Sequence, residues 1–302
     1  MTGAAAPPHV TLVLGAGGPV GQAFHAGVLR ALAERCGWDA RAADVIVGTS
    51  AGAQVGALLR AGWDTYRLLH RATSLPPARA SSRARTRWPT SRAYLRAVVA
   101  RPWTARLGPL VSALLPEGAN DSPHIGEAFR GLFAGRWPRQ PLWIPAVHVD
   151  SGARIVFGRD DAPAVDVATA VRCSSAVPGL RRPITVGSER YVDGGVASQT
   201  HVDLAAHAAE PAMARRRTVV VLSPLSRFAP LRLALRWELR PLLRRGIDLV
   251  LFEPDRAVAA AMGWNPMNAA RAGSVAEAAY RATAERLARQ GVTAAVRLLV
   301  GA

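Results

Sequence analysis

Apolar residues first gather at His9 to Leu14 (HVTLVL), a short run that predicts a buried strand. A glycine-rich stretch interrupts it, and from about Gly21 to Arg35 the apolar positions recur at helical spacing. Asp44 to Gly48 (DVIVG) predicts a second strand, which turns at once into a helix from Ala51 to about Ala61. Strand, glycine loop, helix, strand, tight turn and helix is the order that builds a parallel sheet with helices on both faces. The pattern then changes. Thr65 to Pro116 carries ten arginines and no Asp or Glu, and its first half, with Pro76, Pro77, Ser81 and Ser82, reads as a loop. An insertion of this kind at about 65–116 suits a lid. Strand candidates resume at Leu142 to Val149, Arg154 to Phe157, Arg190 to Val192 and Thr218 to Leu222. Ser274 to Glu277 (SVAE) has the form of a capping box opening a long amphipathic helix to about Gln290. No internal repeat or linker divides the chain, so residues 1–302 read as a single domain.

The formal charge of +17 changes this picture less than its size suggests. All 38 cationic residues are Arg, with no Lys anywhere, a bias that GC-rich coding produces by itself. What remains is attraction to anionic surfaces, phospholipid headgroups or nucleic acid. No helix-turn-helix, zinc-finger or RNA-binding motif accompanies the charge, which ranks nucleic acid below lipid. Cys36 and Cys173 stand in unrelated contexts without metal-ligand spacing, so neither a disulfide framework nor a metal site is expected. The first ten residues lack a cationic region before the apolar run, and no stretch approaches the roughly 18 apolar residues of a membrane span. The expectation is a cytoplasmic protein that touches membranes from the side.

Three segments carry candidate chemistry. Gly48-Thr-Ser50-Ala-Gly52 is a G-x-S-x-G sequence between a predicted strand and a predicted helix, the context in which a sharp turn lifts a nucleophilic hydroxyl clear of a sheet. Its bland counterpart is a glycine turn that merely packs helix on strand. The loop Gly15 to Gly21 (GAGGPVG) presents backbone N–H groups to a phosphate or an oxyanion. A Walker loop needs a lysine that this chain lacks, and a dinucleotide fold expects an acidic residue where the second strand instead ends in Gly-Thr-Ser. Asp193-Gly194-Gly195 places a carboxylate after a predicted strand, although an ordinary Asp-Gly turn has the same sequence.

In this order the three segments resemble the patatin-like phospholipases. Gly21 to Arg30 (GQAFHAGVLR) resembles that family's helix after the loop, and Ala170 to Gly179 (AVRCSSAVPG) resembles its A-S-x-A-x-P segment. The resemblance implies a three-layer α/β/α fold with a mainly parallel central sheet and a lipid acyl hydrolase without cofactor or metal. It further implies a catalytic pair of Ser50 and Asp193, an oxyanion hole of Gly17 and Gly18, and supporting glycines at Gly15, Gly21, Gly48, Gly52, Gly194 and Gly195. One departure stands out: where the family often has a cation before the last glycine of the loop, this chain has Val20 after Pro19. His201 and His207 follow Asp193 in the order of an ordinary Ser–Asp–His triad, but His201 lies only eight residues on, and a core or surface role suits both better. Arg232, Arg236, Arg240 and Arg244 recur among leucines and Trp237, as in a helix lying on anionic lipid, with Pro241 expected to break or kink it. The competing function is a non-catalytic lipid- or anion-binding module on the same scaffold.

Overall fold

Every side chain of β1 (His9–Leu14) is buried, which places this strand at the centre of the sheet. The computed structural model describes residues 8–74, 123–159, 161–208 and 216–290. β2 (Val45–Gly48) and β7 (Arg217–Leu222) flank β1 in parallel, and β8 (Asp248–Phe252) extends the parallel set beyond β7. On the other side β3 (Leu142–His148) runs parallel to β2, while β4 (Arg154–Phe157) and β6 (Glu189–Asp193) pair with β3 antiparallel and β5 (Ile184–Val186) closes the edge. The order is β5-β6-β3-β2-β1-β7-β8, with β4 on β3.

Alternation along the strands assigns the two faces. Leu12, Leu14, Ile46, Val220 and Leu222 join one apolar cluster, and Val13, Val45, Val47, Val219 and Val221 join another. The first face is covered by α1 (Gly18–Cys36), α2 (Ala51–Arg60), α3 (Thr65–Ser74), α4 (Pro123–Phe133), α5 (Val167–Ser174), α7 (Arg256–Met262) and α8 (Ala272–Gln290). The second is covered by α6 (Ala229–Arg244) and the 3-10 turns at Val202–His207. The result is a mixed α/β architecture in three layers with a mostly parallel sheet, as the sequence predicts. Of the arginine-rich stretch, residues 65–74 form α3, and the rest of the proposed lid, 75–116, lies outside the described residues.

Two local expectations are corrected. Ser274 caps nothing: its hydroxyl donates to the Arg271 carbonyl from inside α8, which opens at Ala272 because a 3-10 turn capped by Asn268 runs straight into it. Of the break or kink expected at Pro241, the break does not occur, since α6 continues through it for one more turn to Arg244. A proline in the final turn leaves few helical bonds beyond it to disrupt.

α1 and α8 approach closely at Gly27, where an added Cβ would lie 2.2 Å from the Ala276 carbonyl oxygen. Gly27→Ala is therefore expected to destabilise the protein by about 1–3 kcal/mol through overpacking. Denaturant unfolding measures this, and an unchanged midpoint would show that the two helices separate freely.

Candidate active site

β1, β2 and β7 run parallel and end at Leu14, Gly48 and Leu222, so the segments after them share the carboxyl edge of the sheet, where open α/β folds bind ligands. β3 begins beside the end of β2, with Leu142 opposite Ile46, and therefore projects past it. β6 returns antiparallel along that projection and brings Asp193 opposite Ala146. Two side chains distant in sequence thus arrive at one edge.

Ser50 sits between β2 and α2 with φ +53° and ψ −109°. A positive φ costs a non-glycine residue about 1–3 kcal/mol and persists only where the surroundings impose it. They do. The Thr49 N–H donates to the Leu14 carbonyl at 3.0 Å, the Gly52 N–H to the Thr49 carbonyl at 2.8 Å, and the Ser50 N–H to Ser174 Oγ at 3.0 Å. A Cβ on Gly52 would lie 1.9 Å from Leu14 O, and one on Gly48 would lie 2.5 Å from Gly52 O. Close backbone approach, quite apart from any chemistry at the serine, accounts for both flanking glycines.

Asp193 ends β6 with 2% of its surface exposed. Its N–H donates to the Ala176 carbonyl at 3.0 Å, and its Oδ1 accepts the Gly195 N–H at 2.7 Å. Oδ2 is buried without a hydrogen-bond partner among the described residues. Burial pushes the pKa from 3.8 up to about 6, against the opposing pull of the Ser50 hydroxyl, the Gly195 N–H and the Arg181 charge. Ser50 is thus close enough to stabilise the ionised carboxylate without full hydrogen-bond geometry on Oδ2, a looseness common in ligand-free sites. Gly194 and Gly195 open the 3-10 turn that follows the aspartate.

The glycine loop is pinned at its root. The Gly15 N–H donates to the Leu222 carbonyl at 2.9 Å, and the Ala16 N–H to the Gln199 carbonyl at 2.8 Å. The Gly21 N–H closes on the Gly17 carbonyl at 2.8 Å as α1 begins. The N–H groups of Gly17 and Gly18 have no hydrogen-bond acceptor among the described residues. They stand at the positive end of the α1 dipole, and Gly18 has φ +59°.

A family model described as patatin-like phospholipase matches residues 12–206, a span that begins in β1 and includes the glycine loop, Ser50 and Asp193. The chain belongs to the patatin-like phospholipase family. No curated protein sequence matches it. Among solved structures it is similar to the type III effector ExoU at 18% identity, covering 95% of this chain and 54% of that one, with a TM-score of 0.42. For VipD from Legionella pneumophila the values are 14%, 94%, 68% and 0.42. For the ExoU–SpcU complex from the type III secretion system of Pseudomonas aeruginosa they are 18%, 95%, 52% and 0.37. The chain therefore spans about half the length of the ExoU chains.

Several residues of this patatin-like site escape a reading of motifs. Ser174 holds the Ser50 amide, and Arg181 donates to the Ser175 carbonyl at 3.0 Å while its charge reaches Asp193. His25 is fully buried in α1 and donates through Nε2 to the Gly15 carbonyl at 2.8 Å. Burial lowers its pKa to about 4, so it is neutral at physiological pH. Val20, at the position of the usual loop cation, is buried in the core and presents no charge.

His201 is buried with Nε2 on the Gly194 carbonyl at 2.9 Å and Nδ1 3.4 Å from Arg154 Nη1, so both nitrogens are engaged by groups other than Ser50 and the Asp193 carboxylate. Desolvation and the Arg154 charge lower its pKa to about 4. His207 is exposed at the end of its 3-10 turn. Pairing of β3 with β6 also gathers His148, Asp150 and Glu189, whose ligand atoms lie within 4.8 Å of one another, a cluster invisible to local spacing. It is largely exposed and its members are already paired, His148 with Glu189 and Asp150 with the neighbouring Arg190. Cys36 and Cys173 are buried free thiols.

Proposed function

We propose that this patatin-like protein hydrolyses acyl esters of phospholipids or related lipids, with Ser50 as nucleophile, Asp193 as its base, and the N–H groups of Gly17 and Gly18 as the oxyanion hole. The observation that carries the proposal is the buried Asp193 carboxylate beside the strained Ser50, with one oxygen held by Gly195 and the other without a partner among the described residues. As the Ser50 oxygen attacks the ester carbonyl, its proton passes to Asp193. The carbonyl oxygen becomes an oxyanion and accepts the Gly17 and Gly18 N–H groups, which break no bond to any described residue to receive it. Collapse expels the alcohol, which recovers the proton from Asp193, and water activated by the same carboxylate then releases the fatty acid. A pKa of about 6 makes Asp193 a stronger base than an ordinary carboxylate while leaving it mostly ionised at neutral pH.

A fluorophosphonate probe tests this directly. Labelling of folded protein should map to Ser50, and a panel of phospholipid, lysophospholipid and glyceride then identifies the substrate. Folded protein that stays unlabelled yet binds lipid would instead favour the non-catalytic binding module.

The same reading includes peripheral contact with anionic membrane. No helix among the described residues is long and apolar enough to cross a bilayer. α6 buries Leu231, Leu235, Leu239 and Leu242 while Leu233, Trp237 and Leu243 stay exposed. Arg240 stacks 3.6 Å from the Trp237 ring centre. Arg232 and Arg236 pair with Glu253, whereas Arg240 and Arg244 make no ion pair among the described residues. An outward face of Leu, Trp and unpaired Arg suits the interface of a negatively charged bilayer. Vesicle binding should require anionic lipid and weaken as salt shortens the Debye length below its physiological value of about 8 Å. Equal binding to neutral vesicles in high salt would show that charge is not what attaches the protein.

A further inference from the structure

We infer that Gln199 is a positioning residue that keeps the glycine loop and the Asp193 turn in register. This rests on the proposed roles of Asp193, Gly17 and Gly18. The loop follows β1 and Asp193 ends β6, and two other strands, β2 and β3, lie between them in the sheet. Sheet pairing alone therefore sets their separation only through a stack of twisted strands.

Gln199 spans the gap directly. Its backbone carbonyl accepts the Ala16 N–H at 2.8 Å, one residue before Gly17. Its side-chain Nε2 donates to the Gly195 carbonyl at 2.7 Å, and the Gly195 N–H in turn holds Asp193 Oδ1 at 2.7 Å. Among the described residues, the Ala16–Gln199 bond is the one hydrogen bond between residues 15–18 and 193–199. The segments also touch: a Cβ on Gly195 would lie 3.4 Å from Gln199 Nε2 and 3.5 Å from Ala16 Cβ. Because a carbonyl only accepts, the amide must turn its nitrogen toward Gly195, and Oε1 is left buried without a partner among the described residues. That orientation sacrifices one acceptor to keep the link to the aspartate turn. From the other side His25 and Leu222 hold Gly15, so the loop is clamped between a rigid core and Gln199.

The test uses the full-length chain and a soluble short-chain ester. Gln199→Met keeps the length of the side chain and the backbone bond to Ala16 but removes the donor to Gly195. It should lower kcat about 10- to 100-fold, as displacements near 1 Å do in a preorganised site, with KM within about twofold. Affinity for a trifluoromethyl ketone, whose bound adduct carries the oxyanion, should fall by the same factor as kcat/KM. Gln199→His restores an N–H at similar reach and should recover activity to within about fivefold of wild type. Wild-type kcat in Gln199→Met would overturn the inference. So would equal impairment of both variants together with a loss of thermal stability, which would mark Gln199 as packing alone. Fluorophosphonate labelling separates the two levels. An unlabelled wild type overturns the hydrolase reading and this inference with it, whereas labelling of wild type and Gln199→Met at equal rates overturns the inference only.

Discussion

Ser50→Ala is expected to cut ester hydrolysis by at least about 10⁴-fold while leaving the fold in place, since removing a serine nucleophile elsewhere costs up to about 10⁶-fold. Alanine keeps the Cβ, so the positive φ at this turn is no more strained than before. The bond from the Ser50 amide to Ser174 Oγ uses backbone and survives the change. The melting temperature should therefore stay within a few degrees of wild type, and purified folded protein should show neither turnover nor fluorophosphonate labelling. Residual activity above about 1% would remove Ser50 from the mechanism.

Asp193→Asn is expected to lose nearly as much. The amide keeps the shape and can still accept the Gly195 N–H, but it cannot take a proton from Ser50. In the wild type, kcat/KM should rise as pH passes through about 6 and level off above it, because only the ionised carboxylate acts as base. Stability should run the opposite way. Unfolded, Asp193 ionises near 3.8, and folded, near 6, so between these values the folded state holds the extra proton. Stability then declines as pH rises through this window, and the full cost of ionising a buried group, on the order of 2–3 kcal/mol, is present above it. Asparagine has no charge to bury. Asp193→Asn should thus be at least as stable as wild type at pH 8 and lose that advantage below pH 4, a trade of stability against activity that urea unfolding at the two pH values measures. A variant that is destabilised at pH 8 would mean that the carboxylate is held by partners rather than strained by burial.

Variants at the two histidines distinguish a Ser–Asp mechanism from a triad. His207→Ala, at an exposed position, should leave activity unchanged. His201→Ala removes one of three donors to the Gly194 carbonyl, which also accepts the Ala197 and Ser198 N–H groups, and empties a buried site beside Asp193, so it should cost stability, and any loss of rate should recover in His201→Gln, which restores an N–H at that carbonyl. A triad would require an imidazole between Ser50 and Asp193, and no amide could replace it.

Periodicity and local motifs were enough to read the architecture of this patatin-like protein. β1, β2 and the helices after them follow from apolar runs punctuated by glycine, and G-x-S-x-G between strand and helix marks Ser50 because a strained turn needs small neighbours. β8 and α4 were not read from the sequence, although Gly246 and Pro254 bracket the one and Pro123 and Gly135 the other, and Ser274 matched a capping box while lying inside a helix already begun. Local sequence also marks Asp193 as a carboxylate at a strand end, but nothing local says that it is desolvated or which hydroxyl it faces. That depends on the antiparallel return of β6 along β3. His25, Ser174 and Gln199 illustrate the same limit. Ser174 accepts the Ser50 N–H and the Gln199 carbonyl accepts the Ala16 N–H across segments that the sheet brings near, while His25 and the Gln199 amide bond to carbonyls of nearby turns, and none of these partners leaves a periodic trace in the sequence. Residue type and spacing decide which elements form and which groups are chemically able. Only the packed sheet decides which of those groups meet, because burial, pKa and hydrogen-bond partner are properties of the contacts and not of the chain.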